Sequence, residues 1–169
     1  MSLAILADIG GTNTRVALAE GASVRLDSIR RFPNADYQAR GPDIADVLKD
    51  YLAQTGATVT GVCVAAAGPV QDGVATMTNL DWVMDAPKLS AATGATRVAI
   101  LNDLQAQGQA LGHIPAANLR RVIDGPAKSG APMLVVGLGT GVNAAPVHPG
   151  HGGRVVPPSE CGLFNMPVR

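Results

Sequence analysis

An α/β chain is what this sequence predicts, on three observations. Leu3 to Ala7 is an almost continuous apolar run, whereas Arg15 to Glu20 alternates with the period of a half-buried strand and not of a helix. Ile44, Val47, Leu48, Tyr51 and Leu52 recur at helical spacing. "VTGVCVAAA" and "RVAIL" have the length and β-branched content of buried strands, and each follows a helical stretch.

Taken in order, the first two strands meet at "DIGGTNTR", and "SVRLDSIRRF" adds a third. "GPDIADVLKDYLAQTG" is a helix with Pro42 and Asp43 at its start and Gly56 at its stop. After "VTGVCVAAA", Asp72-Gly73 is a tight-turn signal, and a short helix from about Pro87 to Ala92 ends at Gly94. "RVAIL" then runs straight into Asn102-Asp103. "LQAQGQALG" follows as a helix, weakened as a reading by the Gly108 inside it. A Pro-, Gly- and Ala-rich stretch, "GHIPAANLRRVIDGPAKSG", is the natural place for a domain boundary. Beyond it, "PMLVVGLGTGVNAAPV" repeats the opening logic of apolar strand, glycine-threonine turn and second strand.

Composition narrows the function classes. Hydrophobic residues make up 47% of the 169-residue chain and charged residues 15%, enough for a core and unlike a disordered protein. Net charge is zero and the pI is about 6.8, so no basic field draws in nucleic acid or anionic lipid. A small-molecule ligand fits better, and neither a membrane-spanning run nor a secretory signal is evident, so a cytoplasmic location is expected. Cys63 and Cys161 are too few for a disulfide framework or a four-thiolate zinc site and read as reduced thiols.

Each glycine-threonine turn has two readings. Glycine can simply supply φ > 0 in a hairpin. Equally, a backbone without Cβ atoms lets several N–H groups approach phosphate oxygens, with a threonine hydroxyl as a further donor. A P-loop would need Gly-Lys-Ser/Thr opening a helix, and a dinucleotide loop would also need a helix after its glycines, where this chain has an alternating strand. His148 and His151 in "HPGHGG" are better read as part of a flexible loop than as a metal pair.

These motifs carry a resemblance. "DIGGTNTRVAL" and "GLGTG" look like the first and second phosphate-binding turns of the hexokinase and actin-like superfamily. "AAAGPVQDGVATMTNLDW", "ILND" and "PPSECG" resemble the sugar-binding stretch, catalytic Asn-Asp and glutamate motif of bacterial glucokinases. They occur in the family's order from Asp8 to Gly162. The resemblance implies an actin-like (ribonuclease H-like) mixed sheet with helices on its faces. Residues 1–109 would form the first, small lobe. Residues 110–169 would form an incomplete start of the second, because family chains are roughly twice this long.

The implied reaction is ATP plus D-glucose giving D-glucose 6-phosphate and ADP, feeding glycolysis, with ATP and Mg2+ as cofactors and a hexose as partner. Asp103 would be the catalytic base; a carboxylate is a weak base for an alcohol, and in a loose transition state it mainly orients the hydroxyl. Asp8 would hold Mg2+ through water. Gly10, Gly11 and Thr12 would meet the terminal phosphates, and Gly139, Thr140 and Gly141 would close from the other side. Asn79, Asn102, Asp103 and Glu160 would bind sugar hydroxyls, the amides both donating and accepting. Read without the resemblance, Asp103 is a helix cap, Asn79 a turn residue, Glu160 a loop acid and Trp82 a core residue. Leu163 stands where the family pattern usually has a sugar-binding histidine, which keeps a non-catalytic sugar-binding or sensing module, or an inactive fragment of the kinase, open as alternatives. Apolar faces such as Met133 to Val136 would lack covering helices, so self-association into a homo-oligomer is expected.

Overall fold

The computed structural model describes residues 2–38, 43–77, 79–126, 128–138, 142–151 and 153–159. Two compact units result, Met1–Asp103 and Leu104–Arg169, each taken here by itself. Leu104 belongs to the core of the second unit, with Ala145, Val147 and Val156.

In the first unit, β1 (Leu3–Ile9), β2 (Asn13–Glu20) and β3 (Ser23–Pro33) form an antiparallel meander. β4 (Gly61–Ala66) and β8 (Arg97–Asn102) continue the sheet on the other side of β1 in parallel, giving the order β3-β2-β1-β4-β8. Parallel neighbours need a crossover, and here helices supply it: α2 (Ile44–Thr55) before β4, and α3 (Ala86–Thr93) before β8. A one-turn helix, α1 (Ala35–Gln38), follows β3 and has no counterpart in the sequence reading.

The helix boundaries follow local chemistry. Asp43 caps α2 by accepting the Ala45 N–H at 2.8 Å, Asp46 reaches back to the Asp43 N–H, and Gly56 closes the helix in the left-handed region. Asp85 caps α3 through the Lys88 N–H at 2.8 Å, and Gly94 ends it. The Lys88 ammonium also pairs with the Asp43 carboxylate, tying the start of α3 to the start of α2. Between the helices and the sheet, Ile5, Ile9, Val16, Ile44, Val47, Leu48, Tyr51, Val64 and Leu89 are wholly buried, each contributing about 1.5–3 kcal/mol. Trp82 is among these core residues at 3% exposure, as its reading without a sugar role expects.

A small three-stranded sheet, β5 (Val70–Gln71), β6 (Val74–Thr76) and β7 (Val83–Met84), lies between β4 and α3 in the chain. Its first turn has Asp72 at φ 52° and Gly73 at φ 77°, the pair of positive angles that an Asp-Gly hairpin turn requires.

The second unit holds most of α4 (Asp103–Ala110) and a sheet of order β11-β10-β9, built from β9 (Met133–Leu138), β10 (Val142–Gly150) and β11 (Gly153–Val155). β9 and β10 pair antiparallel, as β1 and β2 do, and residues 139–141 between them lie outside the described residues. "HPGHGG" differs from the expected flexible loop: His148 pairs with Val155 and Gly150 with Gly153 in a β10–β11 hairpin. Gly108 also finds its reason. A Cβ there would come within 2.7 Å of Val156 Cγ1 and 3.0 Å of Val147 Cγ2, so glycine is what lets α4 sit this close to the small core of Leu104, Ala145, Val147 and Val156.

Candidate active site

The three parallel strands of the first unit end together. Ile9, Ala66 and Asn102 are register partners on β1, β4 and β8, so the segments that follow them leave from one edge of the sheet. At normal strand spacing about 10 Å separates β1 from β8, a span suited to a small ligand. The Ala67 N–H donates to the Ile9 carbonyl at 3.0 Å and carries the ladder one step beyond β4.

From β1 the chain enters Gly10-Gly11-Thr12. The Gly10 N–H donates to the Asn13 carbonyl at 3.0 Å, closing the turn, and Gly11 and Thr12 are exposed. A Cβ on Gly10 would lie 3.4 Å from the Asn13 carbonyl oxygen, and one on Gly11 would lie 3.4 Å from Asn79 Nδ2. A methyl group at either position would therefore rest against these neighbours at ordinary contact distance. The exposed carboxylate of Asp8 lies just before the turn and accepts from Arg15 at 3.1 Å across the β1–β2 ladder. With both side chains about three-fifths exposed, at 59% and 61%, that pair is worth at most about 1 kcal/mol and leaves Asp8 accessible to water.

From β4 the chain enters Ala67-Gly68-Pro69. A Cβ on Gly68 would overlap the Thr76 carbonyl oxygen and lie 3.2 Å from Met77 Cα, so only glycine lets this loop press against β6. The Gly68 carbonyl accepts from Asn102 Nδ2 at 3.1 Å. Asn102 is completely buried, so at least one of its amide hydrogens serves the loop. Asp103 is the first residue of α4 and half-buried, with its carboxylate near the positive end of that helix. Asn79 is exposed in the stretch after β6, beside Gly11 as noted.

The first unit thus brings Asp8, Gly10, Gly11, Thr12, Asn79, Asn102 and Asp103 to neighbouring places on one edge. Gly139, Thr140, Gly141 and Glu160, together with Cys161 and Leu163, lie outside the described residues. Sequence reasoning missed Asn34, a buried asparagine that bonds to the Gly10–Thr14 segment. Nothing in "FPNADY" marks it, because its partners are about 20 residues away in the chain. Cys63, on β4, has its thiol pushed up by burial and stays protonated, which agrees with an unreactive cysteine.

A mixed sheet of this order, with its polar and glycine-rich loops gathered where the parallel strands end, is the actin-like fold of sugar kinases, the arrangement the motifs imply. The chain belongs to the glucokinase family, whose model, described as Glucokinase, matches residues 5–169. It is 35% identical to a glucokinase of Chromohalobacter salexigens over 164 residues, covering 96% of this chain and 50% of that protein. Among solved structures, a glucokinase from an Antarctic psychrotroph superposes with a TM-score of 0.82 at 26% identity, covering 100% of this chain and 53% of that one. A glucokinase from Balamuthia mandrillaris, solved in complex with glucose, gives 0.72 at 25% identity, covering 98% and 50%. The chain therefore spans about half the length of the relatives it matches.

Proposed function

We propose that this chain carries the sugar-binding and first phosphate-binding parts of an ATP-dependent glucokinase, which converts ATP and D-glucose to D-glucose 6-phosphate and ADP and so feeds glycolysis. The observation that carries the reading is the gathering of Gly10-Gly11-Thr12, Asn79 and Asn102-Asp103 at one edge of the first unit's sheet. Phosphoryl transfer asks for an attacking hydroxyl and a phosphate held in line, and for charge neutralised along that line.

In this reading Asp103 accepts a hydrogen bond from the sugar hydroxyl that attacks, fixes its direction, and takes its proton as the new P–O bond forms and the bond from the γ-phosphorus to the bridging oxygen breaks, ADP leaving with that oxygen. The start of α4 and the end of β8 hold that carboxylate in place. Asn79 pairs with sugar hydroxyls beside the phosphate turn, and Asn102, oriented by its bond to Gly68, completes the sugar set with Glu160. The open backbone of Gly10, Gly11 and Thr12 receives terminal phosphate oxygens, with Gly139, Thr140 and Gly141 as the second such turn. An accessible carboxylate at the end of β1 is a donor of the kind a hydrated Mg2+ takes, and Asp8 would hold that ion through water. Bound there, Mg2+ would supply neutralisation of phosphate charge.

No helix among the described residues is long and apolar enough to cross a membrane. A cytoplasmic location is part of the proposal and rests on the family to which the chain belongs. Met133, Leu134, Val136 and Leu138 present exposed apolar surface on β9, through which we expect self-association. The test of function is hexose phosphorylation, measured by a coupled assay on the protein expressed from the whole reading frame that contains these residues. A second reading, a sugar-binding module without catalysis, is favoured only by Leu163 in place of the pattern's histidine. Calorimetry that found glucose binding without nucleotide binding would select it.

A further inference from the structure

Asn34 follows the last residue of β3, at 1% exposure one of the few polar side chains in the interior of the first unit. It bonds to three points of the segment that forms the first phosphate turn. Its Nδ2 donates to the Gly10 carbonyl at 2.8 Å. Its backbone N–H donates to the Thr12 carbonyl at 2.9 Å. Its Oδ1 accepts from Thr14 Oγ1 at 2.9 Å, and Thr14 is itself fully buried on β2. The register explains the placement, since Asn13 pairs with Pro33 and the residue that follows β3 falls beside the turn. Its own carbonyl accepts from the N–H groups of Tyr37 and Gln38, both at 3.0 Å, so α1 holds it from behind.

Covalent geometry turns these bonds into a constraint on direction. In a trans peptide the C=O of one residue and the N–H of the next point opposite ways. With the Gly10 carbonyl drawn inward to Asn34, the Gly11 N–H points away from Asn34; with the Thr12 carbonyl drawn in as well, the Asn13 N–H is turned in the same sense. Two consecutive glycines would otherwise let the peptide between them flip at little cost. An amide donates to Gly10 through its nitrogen while it accepts from Thr14 through its oxygen.

We propose that Asn34 is a positioning residue that fixes the Gly10–Gly11 peptide in the orientation that presents the Gly11 N–H to a phosphate oxygen of the nucleotide. This rests on the reading of the turn as a phosphate site. Loss of the Gly10 bond leaves the competent orientation only a fraction of the population, and apparent affinity for the nucleotide falls by that fraction.

The test uses Asn34→Asp, which can still accept from Thr14 but offers Gly10 no donor, together with Asn34→Ala and Thr14→Val, in the protein from the whole reading frame. KM for MgATP and for glucose are measured separately, with thermal unfolding to report the folded fraction. The expected result for Asn34→Asp and Asn34→Ala is a rise of about tenfold in KM for MgATP with KM for glucose within twofold of wild type. Thr14→Val, which keeps the Gly10 bond, should give a smaller rise. A folded Asn34→Asp with unchanged KM for MgATP overturns the inference. So does a loss of both substrates in proportion to the folded fraction, or failure of all three variants to fold, since either makes Asn34 a folding residue only. A folded wild type that binds no MgATP overturns the reading of the turn itself, and the inference with it.

Discussion

Gly68→Ala should do more damage than a single methyl group suggests. The new Cβ would overlap the Thr76 carbonyl oxygen and touch Met77 Cα at 3.2 Å, and both obstacles are backbone, which cannot rotate aside as a side chain can. The loop must shift away from β6, and its shift strains two bonds: Asn102 Nδ2 to the Gly68 carbonyl at 3.1 Å, and Thr76 N–H to the Pro69 carbonyl at 3.1 Å. Overpacking of this kind costs about 1–3 kcal/mol. Leaving the buried Asn102 amide short of an acceptor adds about 1–3 kcal/mol. The sum, about 2–6 kcal/mol, should lower the unfolding midpoint by about 10 °C or more for a domain of this size. Because Asn102 precedes Asp103, the survivors should also bind glucose more weakly. Thermal unfolding followed by circular dichroism, with glucose calorimetry on the folded fraction, reads both effects. A variant that melts within 2–3 °C of wild type, at roughly the error of such a measurement, and binds glucose normally would refute the reasoning.

Asp43→Ala removes the α2 cap and the partner of Lys88, and should cost about 1–2 kcal/mol by chemical denaturation. Asp46 adds a pH dependence: burial pushes its carboxyl up, but the Asp43 N–H and the Lys49 ammonium outweigh it and hold it below its ordinary value of 3.8. A lowered folded pKa stabilises the protein above that value, and the contribution is lost as pH falls through the folded pKa. Acid unfolding of Asp46→Asn should therefore show a flatter slope below about pH 4 than wild type. Gly108→Ala gains about 1 kcal/mol of helix propensity but meets Val156 and Val147, so it should destabilise the second unit, not strengthen α4. Leu134 and Leu138 are 60% and 80% exposed on β9; under the proposed self-association, sedimentation of this 169-residue chain at micromolar concentration shows an associating species that Leu134→Glu shifts toward monomer, and a monodisperse monomer contradicts it.

Where the sequence was legible, the signal was local. The apolar runs on either side of "DIGGTNTR" and the glycines within it identify two strands joined by a turn, although β2 is buried without a break from Val16 to Ala19 and is not the half-buried strand expected; Asp43 and Gly56 bracket α2; Asp72-Gly73 marks the hairpin between β5 and β6. Each of those depends on residues within one turn or one pleat of each other. Illegible features depend on tertiary contact. Gly108 argues against a helix by propensity and turns out to permit its packing. The prolines and glycines of "HPGHGG" suggest a loop, yet residues 148–150 find ladder partners at 153–155. Among the site residues, Asp8, Gly10 to Thr12 and Asn102-Asp103 stand out by motif, whereas the inward bond of Asn102 to Gly68 and the whole of Asn34 become visible only when β3, β4 and β8 are laid beside β1.

The most direct measurement is hexose phosphorylation by the protein from the whole reading frame, wild type against Asp103→Asn, with ATP and glucose both saturating. We expect wild-type formation of glucose 6-phosphate, and a fall in kcat of about 100- to 10,000-fold on Asp103→Asn with glucose still bound. No phosphorylation by a folded wild type, or a kcat that Asp103→Asn leaves unchanged, would contradict a phosphoryl-transfer site at the end of β8.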